Sequence, residues 1–137
     1  MSAIFSTPIR VYYEDTDAAR VVYYANYLKF MERARTEWLR SLGYEQGELL
    51  SRENIIFVVR SVKLDYLKPA HLNDLLHATV QVLKSGHASM TFAQQIRRDD
   101  VVLCDGEVKA VCLDATALAT RRLPEPLRTA MIQGVMA

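Results

Sequence analysis

The hydrophobic period of this chain changes along its length, and that change limits the folds open to it. From Asn26 to Leu42, apolar side chains recur every three or four residues, as they do on one face of an α-helix. From residue 61 to residue 113, apolar and polar side chains alternate, as they do along half-buried β-strands. The sequence therefore predicts one long amphipathic helix followed by a run of strands.

Five strands are predicted, one before the helix and four after it. The first is the β-branched and aromatic stretch Thr7–Tyr13, and the last runs from Val101 to Leu113. Short connections such as KSGH and RRDD favour pairing of successive strands as an antiparallel meander. The long helix is needed to cover the apolar face of this sheet. The predicted fold class is α+β, with one long central helix against a five-stranded antiparallel sheet.

Several shorter segments complete this prediction. Asn26 suits the N-cap of the long helix, and Gly43 suits the left-handed residue after its end. The next stretch contains Gly47 and the polar sequence SREN, and it is expected to be irregular. The segment LPEPLRTAMI is predicted to form a short terminal helix begun by its prolines.

Length and charge exclude several classes of protein. A chain of 137 residues with 50% apolar content suits a single domain over residues 1–137. Seventeen basic and sixteen acidic side chains give a net charge of +1, which does not favour nucleic acid as a partner. No apolar run is long enough for a membrane span, and the first ten residues lack a signal-peptide layout, so we expect a cytoplasmic protein. Because one helix leaves sheet edges uncovered, we also expect a homodimer or homotetramer.

The cysteines and histidines do not suggest a disulfide or a metal site. Cys104 and Cys112 lie eight positions apart on one predicted strand, roughly 26 Å at about 3.3 Å per residue, which is beyond disulfide reach. They are expected to be buried thiols. No ligand-like spacing links the three histidines, and no metal site is predicted among His71, His77 and His87.

The segment YEDTDAARVVYYANY, residues 13–27, places two aspartates between aromatic residues just before the helix. In one interpretation, Asp15, Thr16 and Asp17 are turn formers that accept hydrogen bonds from the backbone. In the other, the neighbouring rings partly desolvate a carboxylate and make it a stronger base. The amides at the helix N-terminus would polarise a carbonyl oxygen beside it. A carboxylate and a polarised carbonyl are sufficient for acyl transfer, with the acid as general base or nucleophile.

Two longer segments carry a resemblance to a known family. RVYYEDTDAARVVYYANYLKFMERARTEWL and FVVRSVKLDYLKPAHLNDLL closely resemble the hotdog-fold acyl-CoA thioesterases of the 4-hydroxybenzoyl-CoA thioesterase type, in particular the Tol-Pal-associated YbgC subgroup. The resemblance covers nearly the whole chain and implies that the sheet wraps around the central helix. It implies hydrolysis of a short-chain or aromatic acyl-CoA, or of the same thioester on an acyl carrier protein. No cofactor is implied, because coenzyme A is part of the substrate.

The resemblance also assigns roles to individual residues. It implies that Asp17 is the catalytic carboxylate, that Asp15 holds the loop at the substrate site, and that Tyr13 neighbours the site. The backbone amide of about Tyr24 is implied to polarise the thioester carbonyl. Other substrate contacts are expected from Tyr23 and Tyr27, from a second copy's residues 57–59, which include Val58 and Val59, and, for the phosphates of coenzyme A, from Arg60 and Lys84.

The chain departs from the family pattern at three positions. Ala19 and Arg20 stand where many relatives carry glycines, which predicts either ordinary backbone angles or local strain. Tyr24 stands where several relatives of the subgroup have a histidine, and a phenol is a poor base at neutral pH. These departures leave an alternative, a non-catalytic protein of the same fold that binds acyl-CoA or acts as a scaffold.

Overall fold

One antiparallel sheet with a long helix on one face forms the fold in the computed structural model, which describes residues 4–133. The predicted α+β class and the five strands are confirmed. In chain order, the elements are β1 (Phe5–Arg10), α1 (Asn26–Ser41), α2 (Gln46–Glu53), β2 (Ile55–Tyr66), β3 (Leu75–Ser85), β4 (Ser89–Arg98), β5 (Val101–Asp114) and α3 (Glu125–Gln133).

The order of the strands differs from the predicted meander. Strands β3, β4 and β5 are neighbours as expected, but β2 pairs with β5, and β1 pairs with β3, so the order is β1-β3-β4-β5-β2. The connection from β2 to β3 is residues 67–74. This segment can span up to about 26 Å, whereas the three spacings between β2 and β3 amount to roughly 14 Å. A hairpin loop of about two to five residues would instead have kept β2 beside β3.

Helix α1 buries one side against the sheet, as its hydrophobic period predicts. Its buried residues are Tyr27, Phe30, Met31, Ala34, Trp38 and Leu39. The ring of Trp38 packs edge-on against Phe92 of β4, with 5.3 Å between ring centroids. The contact between helix and sheet is therefore a layer of interlocking apolar side chains.

A buried polar side chain also ties α1 to the sheet. Gln94 of β4 is fully buried, and its Nε2 atom donates to the carbonyl of Met31 at 3.0 Å and to that of Thr79 at 3.2 Å. Its Oε1 atom accepts a hydrogen bond of 2.9 Å from Arg35. Both ends of the amide are paired, so its burial carries no cost from an unsatisfied polar group.

Two predictions at the start of the chain are wrong, the end of β1 and the capping role of Asn26. Strand β1 ends at Arg10 and not at Tyr13, because residues 13–15 form one turn of 3-10 helix. Helix α1 begins at the predicted residue, but Asn26 does not cap it. Its side-chain amide instead donates to the carbonyl of Asp15 at 2.9 Å, which fixes the preceding loop to the helix.

The segment after α1 also differs in part from expectation. Gly43 has the predicted left-handed conformation, with φ of 92°. The stretch around Gly47 is not irregular, because α2 forms there, buries Leu49 and ends at Asn54 in the left-handed conformation. Contact of α2 with the start of β2 explains why a short helix with a glycine in its first turn is stable.

The other expectations for the fold concern its terminal helix and its thiols. Helix α3 forms where predicted and buries Leu127 and Met131. Cys104 and Cys112 are buried and unbonded, and burial raises the pKa of Cys104 to about 12. In the described range, no helix is both long and apolar enough to cross a bilayer, and no three His, Cys, Asp or Glu side chains group as metal ligands.

Candidate functional site

A tight hairpin before α1 carries Asp17. Thr16 and Val22 form an antiparallel bridge, the N–H of Asp17 donates to the carbonyl of Val21, and the N–H of Arg20 donates back to the carbonyl of Asp17, both at 2.9 Å. This pattern encloses residues 18–20 as a three-residue loop whose last member is left-handed. Arg20 has that conformation, with φ of 66°. Ordinary backbone angles or local strain were predicted for Ala19 and Arg20. The backbone is strained at Arg20 and has ordinary angles at Ala19.

Asp15 is buried at the base of this hairpin. Its carboxylate accepts a hydrogen bond of 2.8 Å from the N–H of Tyr12, and its carbonyl accepts one of 2.9 Å from the N–H of Tyr23. The Asn26 side chain donates to the same carbonyl. Asp15 thus joins the end of β1, the hairpin and the start of α1. This position is consistent with the predicted role of Asp15 in holding the loop.

Asp17 is exposed and only partly engaged. Its Oδ1 atom accepts a hydrogen bond of 2.9 Å from the N–H of Ala19, and no donor in residues 4–133 pairs with its Oδ2 atom. The turn-forming interpretation of this segment is confirmed, and Thr16 contributes by donating to the carbonyl of Tyr13. The predicted desolvation of Asp17 by neighbouring rings is not present in the single chain, where the residue is open to solvent.

The backbone between the hairpin and α1 offers a hydrogen-bond donor. The N–H of Asn26 donates to the carbonyl of Tyr23, but no described residue accepts a hydrogen bond from the N–H of Tyr24. This amide lies two residues before the first residue of α1, at the positive end of the helix dipole. The pKa of Tyr23 is raised, chiefly by hydrogen bonding with the Tyr24 side chain, and the charge of Asp17 is among the smaller causes. That effect indicates that the carboxylate lies near this aromatic pair.

Aromatic rings form a wall beside this amide. The rings of Tyr23 and Tyr24 lie 4.9 Å apart, and Tyr66 lies 6.0 Å from Tyr24 and 5.6 Å from Tyr27, measured between centroids. The hydroxyl of Tyr66 donates to the carbonyl of Tyr24 at 3.1 Å. Tyr66 was not predicted as part of this region. The length of the connection between β2 and β3 was the sequence feature that could have indicated that the end of β2 lies near α1.

Tyr27, which stays a predicted substrate contact, lines a groove together with Tyr24 and Tyr66 and also has a structural role. It is only 3% exposed, and its hydroxyl accepts a hydrogen bond of 3.1 Å from the N–H of Ala70. Tyr13 is exposed at the start of the hairpin. The structure therefore has Asp17, Tyr23 and the Tyr24 amide on the short segment before α1 and Tyr27 in the first turn of that helix.

The remaining predicted contacts do not join this group within one chain. Val58 and Val59 are exposed on β2, a strand at the edge of the sheet. Arg60 lies at an irregularity of the same strand, six residues before Tyr66, or about 20 Å along a strand. Lys84 lies near the far end of β3, about 30 Å from the end that begins beside the hairpin. Strand length therefore separates Arg60 and Lys84 from Asp17 of the same chain, and their contact with the phosphates of coenzyme A stays a prediction for a pocket between two copies.

A histidine that the sequence analysis set aside lies close to the hairpin. Val21 forms an antiparallel bridge with His71, and the N–H of Val22 donates to the carbonyl of Ala70 at 2.9 Å. The β2–β3 connection thus runs alongside the segment that bears Asp17. Residues 21 and 71 pair because the connection between β2 and β3 passes alongside the hairpin. No local pattern in the sequence indicates that path.

Comparison with known proteins gives one consistent result. A family model described as "Thioesterase superfamily" matches residues 19–105. "Acyl-CoA thioesterase YbgC" of Haemophilus influenzae is 42% identical over 126 residues, covering 92% of this chain and 93% of that protein. "Acyl-CoA thioester hydrolase YbgC" of Escherichia coli is 40% identical over 127 residues, covering 92% of this chain and 94% of that protein. A probable thioesterase from Bartonella henselae has a similar structure, with a TM-score of 0.86, 33% identity and coverage of 89% of this chain and 100% of that one.

Proposed function

This chain belongs to the thioesterase superfamily and has its hotdog fold, and we propose that it hydrolyses acyl-CoA thioesters with Asp17 as its catalytic carboxylate. The observation that carries the proposal is that the short segment leading into α1 holds both Asp17, whose Oδ2 atom is unpaired, and the unpaired amide of Tyr24. Relatives of about 40% identity over most of the chain bear names that describe the same chemistry. Fold and site therefore support one reaction class.

In the proposed reaction, the thioester carbonyl oxygen accepts a hydrogen bond from the Tyr24 N–H. The amide and the helix dipole stabilise negative charge that develops on this oxygen. Asp17 takes a proton from water, whose oxygen adds to the carbonyl carbon, or it attacks that carbon itself to form a mixed anhydride that water then cleaves. Both routes break the carbon–sulfur bond and yield a carboxylic acid and a thiol.

The walls of the site favour short or aromatic acyl groups. Tyr23 and Tyr24 are exposed, and Tyr66 extends the same wall. Ring faces offer flat apolar surface to a planar acyl group, with edges and hydroxyls at the rim. Because coenzyme A and acyl carrier proteins present the same pantetheine thioester, either carrier fits the proposed chemistry.

A second copy of the chain is proposed to complete the site. Strand β2 lies at the edge of the sheet and exposes Val58, Val59 and Val62. Val59 and Val62 also line a groove beside α1, together with Leu28. An apolar edge strand beside an apolar groove is a surface that proteins cover. We propose that β2 pairs with the same strand of a second copy, which would bring that copy's residues 57–60 to the site.

The test of this proposal is thiol release from a panel of substrates. Acetyl-CoA, hexanoyl-CoA, palmitoyl-CoA and 4-hydroxybenzoyl-CoA are each incubated with the protein, and the free thiol is followed with a disulfide colour reagent. The proposal predicts turnover of the short or aromatic members above the palmitoyl thioester. Tight binding of these thioesters without thiol release would contradict it and would favour the non-catalytic alternative.

A further inference from the structure

His71 and Asp17 stand in one row across three segments of chain. Val21 is paired with His71 on one side, and on the other side its carbonyl accepts the N–H of Asp17. Residues directly opposed in antiparallel pairs carry their side chains on the same face. The neighbouring row contains Val22 and Ala70, which are both buried. Asp17, Val21 and His71 therefore share the outer face.

The spacing within this row suits a bound thioester. Opposed residues of antiparallel segments have Cα atoms about 4.5 or 5.5 Å apart, depending on the type of pair, so Asp17 and His71 lie about 10 Å apart. Val21, which is partly exposed, lies between them. A thioester that lay over Val21 with its carbonyl carbon at Asp17 and its leaving group on the side of the connection would direct its sulfur toward His71.

The carboxylate of Asp74 lies beside His71. The Oδ2 atom of Asp74 accepts a hydrogen bond of 2.9 Å from the His71 N–H, lies 3.8 Å from Nδ1, and accepts one of 2.8 Å from Arg98. Burial acts to raise the pKa of Asp74, but the hydrogen bonds from the His71 amide and from Arg98 outweigh it and the pKa is lowered. At 3.8 Å this contact is an ion pair and not a hydrogen bond; it puts the carboxylate on the Nδ1 side of the ring and leaves Nε2 for another partner. The His71 side chain is 54% exposed, so that partner can come from solution.

We propose that His71 is a further catalytic residue, the general acid that protonates the departing thiolate; this inference rests on the proposed function. As the carbon–sulfur bond breaks, its electron pair goes to sulfur, and the proton on Nε2 of His71 is transferred to that sulfur. In the general-base route, the proton that Asp17 takes from water then returns to His71 through solvent. In the nucleophilic route, the water that cleaves the mixed anhydride releases the proton that returns to His71, so either cycle closes without another reactant. Such assistance matters for an alkyl thiolate, because a more acidic thiol leaves readily without it.

The test compares one acyl group on three leaving groups. The acyl group is the one that wild type hydrolyses fastest in the CoA panel, and it is supplied as its coenzyme A, N-acetylcysteamine and 4-nitrothiophenol thioesters. In His71→Gln, kcat is expected to fall on the order of a hundredfold on both alkyl thioesters and to stay at the wild-type value on the aryl thioester. His77→Gln is the control, because His77 lies on β3 opposite Pro8 and Arg97, away from this row. It is expected to match wild type on all three substrates.

Other results would overturn this role. A loss confined to the coenzyme A ester would show that His71 binds the nucleotide part of the carrier, because N-acetylcysteamine lacks it. An equal loss on all three substrates would show that His71 only supports the hairpin, and no loss would show that it is not needed. Asp17→Asn, measured on the same substrates, separates this proposal from the proposed function, because the function requires that variant to lose turnover of the aryl ester as well.

Discussion

Arg20 and Asp17 show how one short loop combines strain and chemistry. The loop needs a left-handed residue at its third position, and Arg20 supplies it with φ of 66° where glycine would do so at little cost. Asp17 uses one carboxylate oxygen to hold this loop and leaves the other unpaired. The two interpretations of the acidic segment, turn former and proposed catalytic group, are therefore compatible within one side chain.

Relief of this strain should stabilise the protein. Arg20→Gly is expected to raise the free energy of unfolding by about 1 kcal/mol, because a non-glycine residue in the left-handed region costs roughly 1–2 kcal/mol and glycine adds a smaller entropic cost. Urea unfolding followed by circular dichroism measures the change. Ala19→Gly is the matched control, since Ala19 has an ordinary φ and glycine there should lower stability slightly. Equal effects at the two positions would contradict the assignment of strain to Arg20.

At the level of the elements, β5 packs closely against β2 and α1 at Gly106. A Cβ atom there would overlap the Leu64 Cδ2 atom and would lie 3.2 Å from both the Lys63 carbonyl oxygen and the Met31 Cε atom. The strand, its neighbour and the helix thus meet where there is no room for a side chain. This contact affects the distance between α1 and the sheet. The Tyr24 amide lies just before the N-terminal end of α1.

Filling this space should destabilise the fold. Gly106→Ala is expected to lower the free energy of unfolding by about 1–3 kcal/mol, because Leu64 and Met31 must move out of their packed positions. Gly47→Ala is the control, since a Cβ at Gly47 in α2 meets nothing within 4 Å and alanine favours a helix. A Gly106→Ala protein as stable as wild type would show that the helix and sheet adjust freely at this point.

The sequence predicted elements better than their arrangement. Local periodicity was enough to identify α1 and the strands after it, because burial on one face leaves a pattern in the residues themselves. The partner of β2 could not be identified in this way, since pairing depends on where the 67–74 connection crosses. The same limit applies to the candidate site: Asp17 and Tyr24, whose roles the resemblance implies, lie on one short segment, whereas Tyr66 and His71 come near that segment only through the fold.

For the whole molecule, the proposal of a second copy rests on the sheet edge formed by β2. Val58 and Val59 lie on opposite faces of this strand and both are exposed. If β2 belongs to an interface, a second copy covers Val58 and Val59, and Arg60 acts at the site of that copy rather than at the Asp17 of its own chain. The site would then be built from two chains, with its carboxylate and amide from one and its acyl-binding edge from the other.

A charge on this edge should separate the copies. Val59→Glu is expected to give a monomer in sedimentation velocity where wild type gives a dimer or tetramer, because a buried unpaired carboxylate is costly. Turnover should fall with dissociation if the second copy completes the site. Leu118→Glu, in an exposed turn outside the sheet, is the control and should keep the wild-type assembly. An unchanged sedimentation coefficient for Val59→Glu would place the interface elsewhere.

The role of Asp17 is tested most directly by the turnover number of Asp17→Asn for thiol release from the preferred acyl-CoA. Asparagine keeps an oxygen that accepts the hydrogen bond from the Ala19 N–H, so the loop and the unfolding free energy should stay close to those of wild type. An amide can neither take the proton from water nor attack the thioester, so kcat should fall by at least about a hundredfold. A folded Asp17→Asn protein that releases thiol at the wild-type rate would contradict the assignment of Asp17 as the catalytic carboxylate.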